Sequence, residues 1–387
     1  MRRLTELWYS SPGAGAGDAG QPPWIARFSL ALLQPLAWLY GATVRGRRSA
    51  YERGWFATHA AGRPVIVVGN ITVGGTGKTP LVLWLAARLG ARGLTVGIVS
   101  RGYGRTSAGP RRVRSDSRWE EVGDEPLLLS RRSGCAVMVA EDRVAAARRL
   151  AAEGVEVILS DDGLQHLRLA RDFEILVMDG ARGFGRGRLL PAGPLREPAL
   201  RALSVEYVVV NGSAASGVPN AALQARAGPV ASMRLVLGEA HRVDGGGPSR
   251  PLASFEGSPV HAVAGIGHPA RFFRSLGARG LQLIEHTFAD HHPFVQGELD
   301  FPDDLPILMT EKDAVRCESF ATARMWYVPV DAELEEADAA PLLESVLGCI
   351  ARAAADRAAA AAPRGPAGTG RESPGPMQAG SSSARVR

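Results

Sequence analysis

Two lysines stand out in a chain whose other basic side chains are arginines: Lys78 in "GGTGKTP" and Lys312 in "TEKDAVR". Lysine is a compact point charge and arginine a wide planar fork, so a site that needs the first cannot simply take the second. Lys78 belongs to "VIVVGNITVGGTGKT" (residues 65–79), an apolar run, a glycine-rich turn and a helix opening on Lys-Thr. In such a loop, backbone N–H groups and the helix N-terminus surround phosphates, the lysine reaches the β/γ-phosphates and the hydroxyl ligates Mg²⁺. Gly74, Gly75, Thr76, Gly77, Lys78 and Thr79 therefore read as a nucleotide cradle. The usual pattern asks for glycine where this chain has Thr72, but every group that touches phosphate is kept. An acidic residue at the end of a neighbouring strand should hold the metal. "VEVILSDDGLQH" (155–166) offers Asp161 and Asp162, which the sequence alone does not separate. "LMTEKD" (308–313) lacks the N/T-K-x-D spacing of a guanine-reading loop, so the nucleotide reads as ATP.

These groups need a scaffold of strands that end near one another. Short apolar runs at 65–68, 95–100, 136–140, 155–160, 173–178 and 207–210 alternate with helical patterns, which predicts a parallel sheet covered on both faces. A second series follows, with strands at 260–265, 281–288, 305–310 and 325–330 and helices near 269–277 and 340–358. The fold class is α/β: a P-loop NTPase-like parallel-sheet domain, a second smaller α/β lobe and an N-terminal membrane-associated helix. The expected boundaries are 1–50 for the N-terminal tail and helix, 51–215 for the nucleotide domain, 216–255 for a connection, 256–360 for the second lobe and 361–387 for a disordered tail. The tail is rich in Pro, Gly and Ser and has too few large apolar residues to offset the cost of ordering.

Residues 28–44 form an uncharged run followed by the basic "RGRR" at 45–48, with Trp24, Trp38 and Tyr40 near its ends. It is short for a span and contains Gln34 and Pro35, so it reads as a membrane segment or an in-plane interfacial helix. Three scattered cysteines exclude a disulfide framework or a C-x-x-C zinc site and suit a reducing cytoplasm. The net charge of +6 has no aromatic-interleaved basic stripe, so no nucleic-acid partner is expected.

"GGTGKTP", "SRGYGR" (100–105), "GDEPLLL" (123–129), "DDGLQH" (161–166), "LLPAGPLREP" (189–198) and "TEKDAVR" (310–316), in that order behind an apolar helix, resemble the tetraacyldisaccharide 4′-kinases of lipid A biosynthesis. The resemblance covers about residues 25–330. It implies transfer of the γ-phosphate of ATP to the 4′-hydroxyl of an acylated disaccharide phosphate lipid, at the cytoplasmic face of the bacterial inner membrane, with Mg²⁺ as cofactor. A monomer is the expectation.

A sugar hydroxyl is a poor nucleophile until its proton is taken. The resemblance favours Asp124 in "GDEP" as that base over a mere turn aspartate, with Glu125 assisting at the metal and His291 in "FADHHPF" partnering Asp124 across the lobes. It also raises Arg101, Tyr103, Arg143 and Arg196 as substrate-binding residues, and gives Gln165 and His166 the task of orienting the acidic pair or contacting substrate. Lys312 receives no role. A switch or partition-type ATPase is the main competing reading, weakened because Val73 stands where such proteins carry a leading lysine. A membrane assembly protein with a structural nucleotide site is another.

Overall fold

The computed structural model describes residues 8–9, 30–212 and 228–361. The tail expected from 361 onward lies, beyond its first residue, outside this range. Helix α1 (Gln34–Glu52) leads into a nine-stranded sheet. Its strands are β1 (Val65–Gly69), β2 (Val96–Ser100), β3 (Arg111–Val113), β4 (Ala136–Val139), β5 (Val157–Asp161), β6 (Phe173–Asp179), β7 (Tyr207–Asn211), β8 (Val230–Leu237) and β14 (Val330–Glu333). The spatial order is β14-β8-β7-β6-β1-β5-β2-β4-β3, parallel from β8 through β4, with both edge strands antiparallel. Strands buried on both faces must be continuously apolar, and all five residues of β1 are buried.

Helices α2 (Lys78–Gly90) and α4 (Asp124–Ser133), the latter preceded by the short α3 (Trp119–Val122), cover one face; α5 (Arg143–Ala152) covers the other. Leu81, Leu85 and Leu89 recur at helical spacing along the buried face of α2. β1 lies between β5 and β6, where the order of connections reverses, and loops at the carboxyl ends of such strands form the ligand crevice of an open α/β sheet.

The second sheet is ordered β11-β10-β12-β13-β9. Its strands are β9 (His241–Arg242), β10 (Pro259–Ala264), β11 (Gln282–Thr287), β12 (Ile307–Thr310) and β13 (Met325–Val328), with α6 (Pro269–Gly277) after β10 and α7 (Glu311–Cys317) after β12.

The structure corrects three expectations. The run at 207–210 does not close the first block, because β8 and β14 lie beyond it. The stretch at 216–255 is more than a connection, since it supplies β8 to one sheet and β9 to the other. The helix expected near 340–358 in the second lobe is α8 (Glu336–Ala361), and it packs on the first sheet, where Leu342, Leu343, Val346, Cys349 and Ile350 complete the core. Helical periodicity says that a face is apolar and leaves open which sheet it covers. None of the described helices is long and apolar enough to cross a membrane. From Gln34 the run forms the first part of α1, which lies along residues 189–204: Tyr40 donates to the Arg196 carbonyl at 3.0 Å and Arg48 to Ser204 Oγ at 3.4 Å.

Candidate active site

The phosphate loop leaves β1 and is tied down by its carbonyls. Asn70 Nδ2 donates to Gly74 O (3.3 Å), Arg182 Nη2 to Gly75 O (2.9 Å) and Asn211 Nδ2 to Thr76 O (2.9 Å). With its acceptors occupied, the loop keeps its N–H groups for a ligand. Gly74 and Gly77 adopt φ of 103° and 95°, which side chains strongly disfavour. At Gly77 a Cβ would also collide with Asn211 Nδ2 at 2.8 Å. α2 begins at Lys78 with no side-chain cap and no acidic residue in its first turn, so its positive end is left for an anion. Thr72 needs no glycine: it is absent from the positive-φ residues and pairs as a bridge with Leu195, while Val73 N–H donates to Pro194 O at 2.9 Å.

Asp161 ends β5 and Asp162 follows it, in different surroundings. Asp162 faces Lys78 Nζ at 3.5 Å and Arg196 Nη1 at 3.1 Å, and its carbonyl accepts from Arg143 Nη1 at 2.8 Å. Burial opposes its ionisation, but Lys78, Arg196 and Arg143 prevail and hold it well below the usual carboxylate range. Asp161 is 1% exposed; Oδ2 accepts from Ser100 Oγ at 3.2 Å and Oδ1 has no partner. Burial, then the charges of Glu125 and Asp162, push its carboxyl up to about 7. It is a buried carboxylate short of positive charge. A divalent cation would supply that charge, so Asp161 with the Thr79 hydroxyl at the start of α2 fits Mg²⁺, which typically takes one or two carboxylates plus substrate phosphates. Among the described residues no group of three or more His, Cys, Asp or Glu is arranged to hold a metal without such help.

Asp124 opens α4 on the first domain and meets the second lobe. Its Oδ2 accepts from His291 (Nδ1, 2.9 Å) and from Arg316 (Nε, 3.0 Å; Nη2, 2.6 Å), and Oδ1 from the Glu125 N–H (2.8 Å). Burial works against the anion, but the His291 hydrogen bond and the charges of Lys312 and Arg316 hold it far down. Lys312 Nζ lies 2.9 Å from Glu125 Oε1, 3.5 Å from Asp290 and 3.2 Å from His291 Nε2. Because a lysine ammonium only donates, Nε2 accepts and the proton of a neutral His291 sits on Nδ1, facing Asp124. Asp162 (φ 48°) and His291 (φ 60°) are the two non-glycine residues with positive φ among the described ones, and both are here.

The remaining expected site residues divide. Tyr103 is 64% exposed with its ring 5.0 Å from that of His291, at the rim of the seam. Gln165 donates to Asn70 O (3.0 Å) and Glu197 (2.7 Å), bracing the loop after β1 against the segment at 194–198. Burial and the charges of Arg143 and Arg171 push the pKa of the His166 imidazole down to about 4 and hold it neutral, and its Nε2 is buried without a partner. Arg101 is exposed at the end of β2. Glu125 faces Lys312, which the sequence left without a role. Sequence reasoning missed Asn211, Glu197, Asp179, Arg182, Arg271 and Arg316. Only Arg316 and Glu197 had a signal, as members of "TEKDAVR" and "LREP".

A phosphate loop at the sheet's switch point, a buried carboxylate at the next strand end and an acid–histidine pair at a lobe seam define a P-loop phosphotransferase. The chain belongs to the tetraacyldisaccharide-1-P 4′-kinase family, whose model matches residues 29–348. A tetraacyldisaccharide 4′-kinase of Alkalilimnicola ehrlichii is 50% identical over 346 residues, covering 87% of this chain and 95% of its own. One from Pseudomonas aeruginosa is 50% identical over 333 residues, covering 85% and 92%. The crystal structure of LpxK from Aquifex aeolicus in complex with ATP is similar with a TM-score of 0.68 at 29% identity, over 83% of this chain and 99% of that one. The chain is thus an ATP-dependent kinase of lipid A biosynthesis.

Proposed function

We propose that the chain transfers the γ-phosphate of ATP to the 4′-hydroxyl of a tetraacyldisaccharide 1-phosphate, giving lipid IVA, while docked on the cytoplasmic face of the bacterial inner membrane. The observation that carries this is the Asp124–His291 pair at the lobe seam, beside a loop whose N–H groups are free for phosphate. His291 is the outer member, 26% exposed at its side chain against 4% for Asp124. The sugar hydroxyl therefore approaches from the His291 side, and the pair takes its proton at Nε2 once Lys312 gives up its contact there, with Asp124 fixing the imidazole and stabilising its protonated form. Lys78 holds the β/γ-phosphates and gives up its contact with Asp162 to do so. Mg²⁺, held by Asp161 and Thr79 with Asp162 and Glu125 nearby, supplies charge neutralisation when bound. Arg196, Arg143, Arg101 and Tyr103 line the approach for the anionic lipid head.

Membrane docking falls to α1. Leu36, Trp38 and Leu39 are 54%, 66% and 66% exposed, Leu32 and Leu200 add to them, and Arg45, Arg47 and Arg48 follow on the same helix. An apolar strip beside arginines suits the interface of an anionic membrane. The test is transfer from γ-labelled ATP to the tetraacyldisaccharide 1-phosphate in detergent micelles, with Asp124→Asn as control. Labelled lipid with wild type and none with the variant is expected; equal labelling by both would sink the assignment of the pair.

A further inference from the structure

Asp179, at the end of β6 beside the phosphate loop's own strand, is 2% exposed and holds two arginines. Arg182, three residues on in the following turn, donates Nε to Oδ2 at 3.0 Å and Nη2 to Gly75 O at 2.9 Å. Arg271, from the first turn of α6 in the second lobe, donates Nη2 to the same Oδ2 at 2.6 Å. That is the one hydrogen bond of its guanidinium among the described residues. The second lobe also touches the loop directly: a Cβ on Gly267 would lie 3.5 Å from both Gly74 Cα and Gly75 N. Two guanidinium groups and one carboxylate leave a surplus of positive charge against the phosphate cradle.

We infer that Arg271 is a phosphate-contacting residue delivered by the second lobe. When ATP fills the loop, its guanidinium leaves Asp179 for the γ-phosphate oxygens and neutralises the charge that spreads over them during transfer. Asp179 can release it without becoming a bare buried anion. Its Oδ1 keeps the N–H groups of Ala181 (3.0 Å) and Arg182 (3.1 Å), and its Oδ2 keeps Arg182 Nε. Arg271 has four further N–H groups to offer a phosphate. The inference rests on the reading of residues 74–79 as the ATP site, and it makes nucleotide binding and the approach of the two lobes one event.

The experiment uses the full chain with Arg271→Ala, Arg271→Lys and, separately, Lys78→Ala. It measures kcat for transfer to the acceptor lipid and equilibrium dissociation constants for ATP and ADP. Arginines in this role contribute about 10³–10⁵ to turnover elsewhere; a loss of at least about a hundredfold is expected for Arg271→Ala. ADP affinity should hold while the preference for ATP over ADP falls about tenfold. Arg271→Lys keeps a charge on Asp179 and carries the test if the alanine variant does not fold; it should recover only part of kcat. Unchanged kcat, or equal weakening of ATP and ADP, overturns the inference in favour of simple lobe docking. Loss of both nucleotides in Lys78→Ala with a silent Arg271→Ala overturns this inference alone, whereas silence in both overturns the reading of the loop.

Discussion

Arg316→Met removes the group most deeply set in the lobe seam. Its side chain is 0% exposed, and it serves Asp124, Asp313 Oδ1 (3.3 Å) and His292 O (3.0 Å) at once. Methionine fills much of the volume but leaves two carboxylates, 4% and 0% exposed, without that cation. Breaking a buried pair from one side costs about 3–5 kcal/mol. At roughly 2.1 cal/mol/K per residue, a chain of this size loses about 1.2 °C per kcal/mol, so Tm should fall by about 4–6 °C at pH 8. The pH dependence has a definite sign. In the wild type the folded pKa of Asp124 is depressed, so its stabilising contribution is present above the unfolded value of about 3.9 and lost only below it. Without Arg316 that pKa moves up, and the already raised pKa of Asp313 moves further up. Lowering the pH from 8 to 5 then protonates groups that are costly when charged, and the gap between variant and wild type narrows. Thermal and denaturant unfolding at the two pH values, read beside transfer activity, check both points. A loss below about 1 kcal/mol, or a gap that widens as pH falls, would refute the account of the seam.

Three further outcomes follow from the site. Asp161→Asn should abolish transfer yet raise the Tm of the protein at pH 8 without divalent cations. The folded-state pKa of Asp161 is raised to about 7 against about 3.9 in the unfolded chain, so its destabilising effect builds up between those values and is complete above about pH 7; the gain should shrink as pH falls from 8 to 5.5 and vanish near about pH 4; a gain that grows on acidification would be the wrong sign. Lys312→Arg should lower kcat by about tenfold or more without changing ATP affinity, because a planar fork cannot reproduce one ammonium shared among Glu125, Asp290 and His291; stopped-time transfer assays alongside nucleotide titration would show it. Leu36→Glu with Leu39→Glu should abolish co-sedimentation with anionic vesicles while moving Tm by less than about 1 °C, since both side chains are more than half exposed.

Much of the nucleotide half was legible because its signals are local. A strand, a glycine turn and a helix start lie within residues 65–79, and backbone geometry there follows from residue type. The doubt over Thr72 came from a consensus and dissolves in a backbone angle. The neighbouring carboxylates were found but not separated, since what separates them is Lys78, Arg196 and Ser100, brought in from three other places. Arg316 and Lys312 stood in a motif noticed for its resemblance, and their task appears only when α7 meets α4 across the seam. Arg271 and Asp179 left no pattern, being 92 residues apart and individually unremarked in an arginine-rich chain. The misplaced α8 has the same origin: its apolar face was read correctly, and its partner sheet is built mostly from strands at 65–237, far back in the chain.

The chain crosses between its two sheets twice, and the crossings lie side by side. β8 and β14 pair in one sheet, β9 and β13 pair in the other, and Gly238 N–H meets Pro329 O at 2.9 Å between them. The second lobe is thus a closed excursion whose ends touch. A ribosome making this protein from its N-terminus must therefore complete the whole excursion before β14 and α8 can seal the first core. Until then β8 offers an unpaired edge and the apolar patch on the sheet stays wet, so the nascent nucleotide domain depends on prior closure of a neighbour encoded within it.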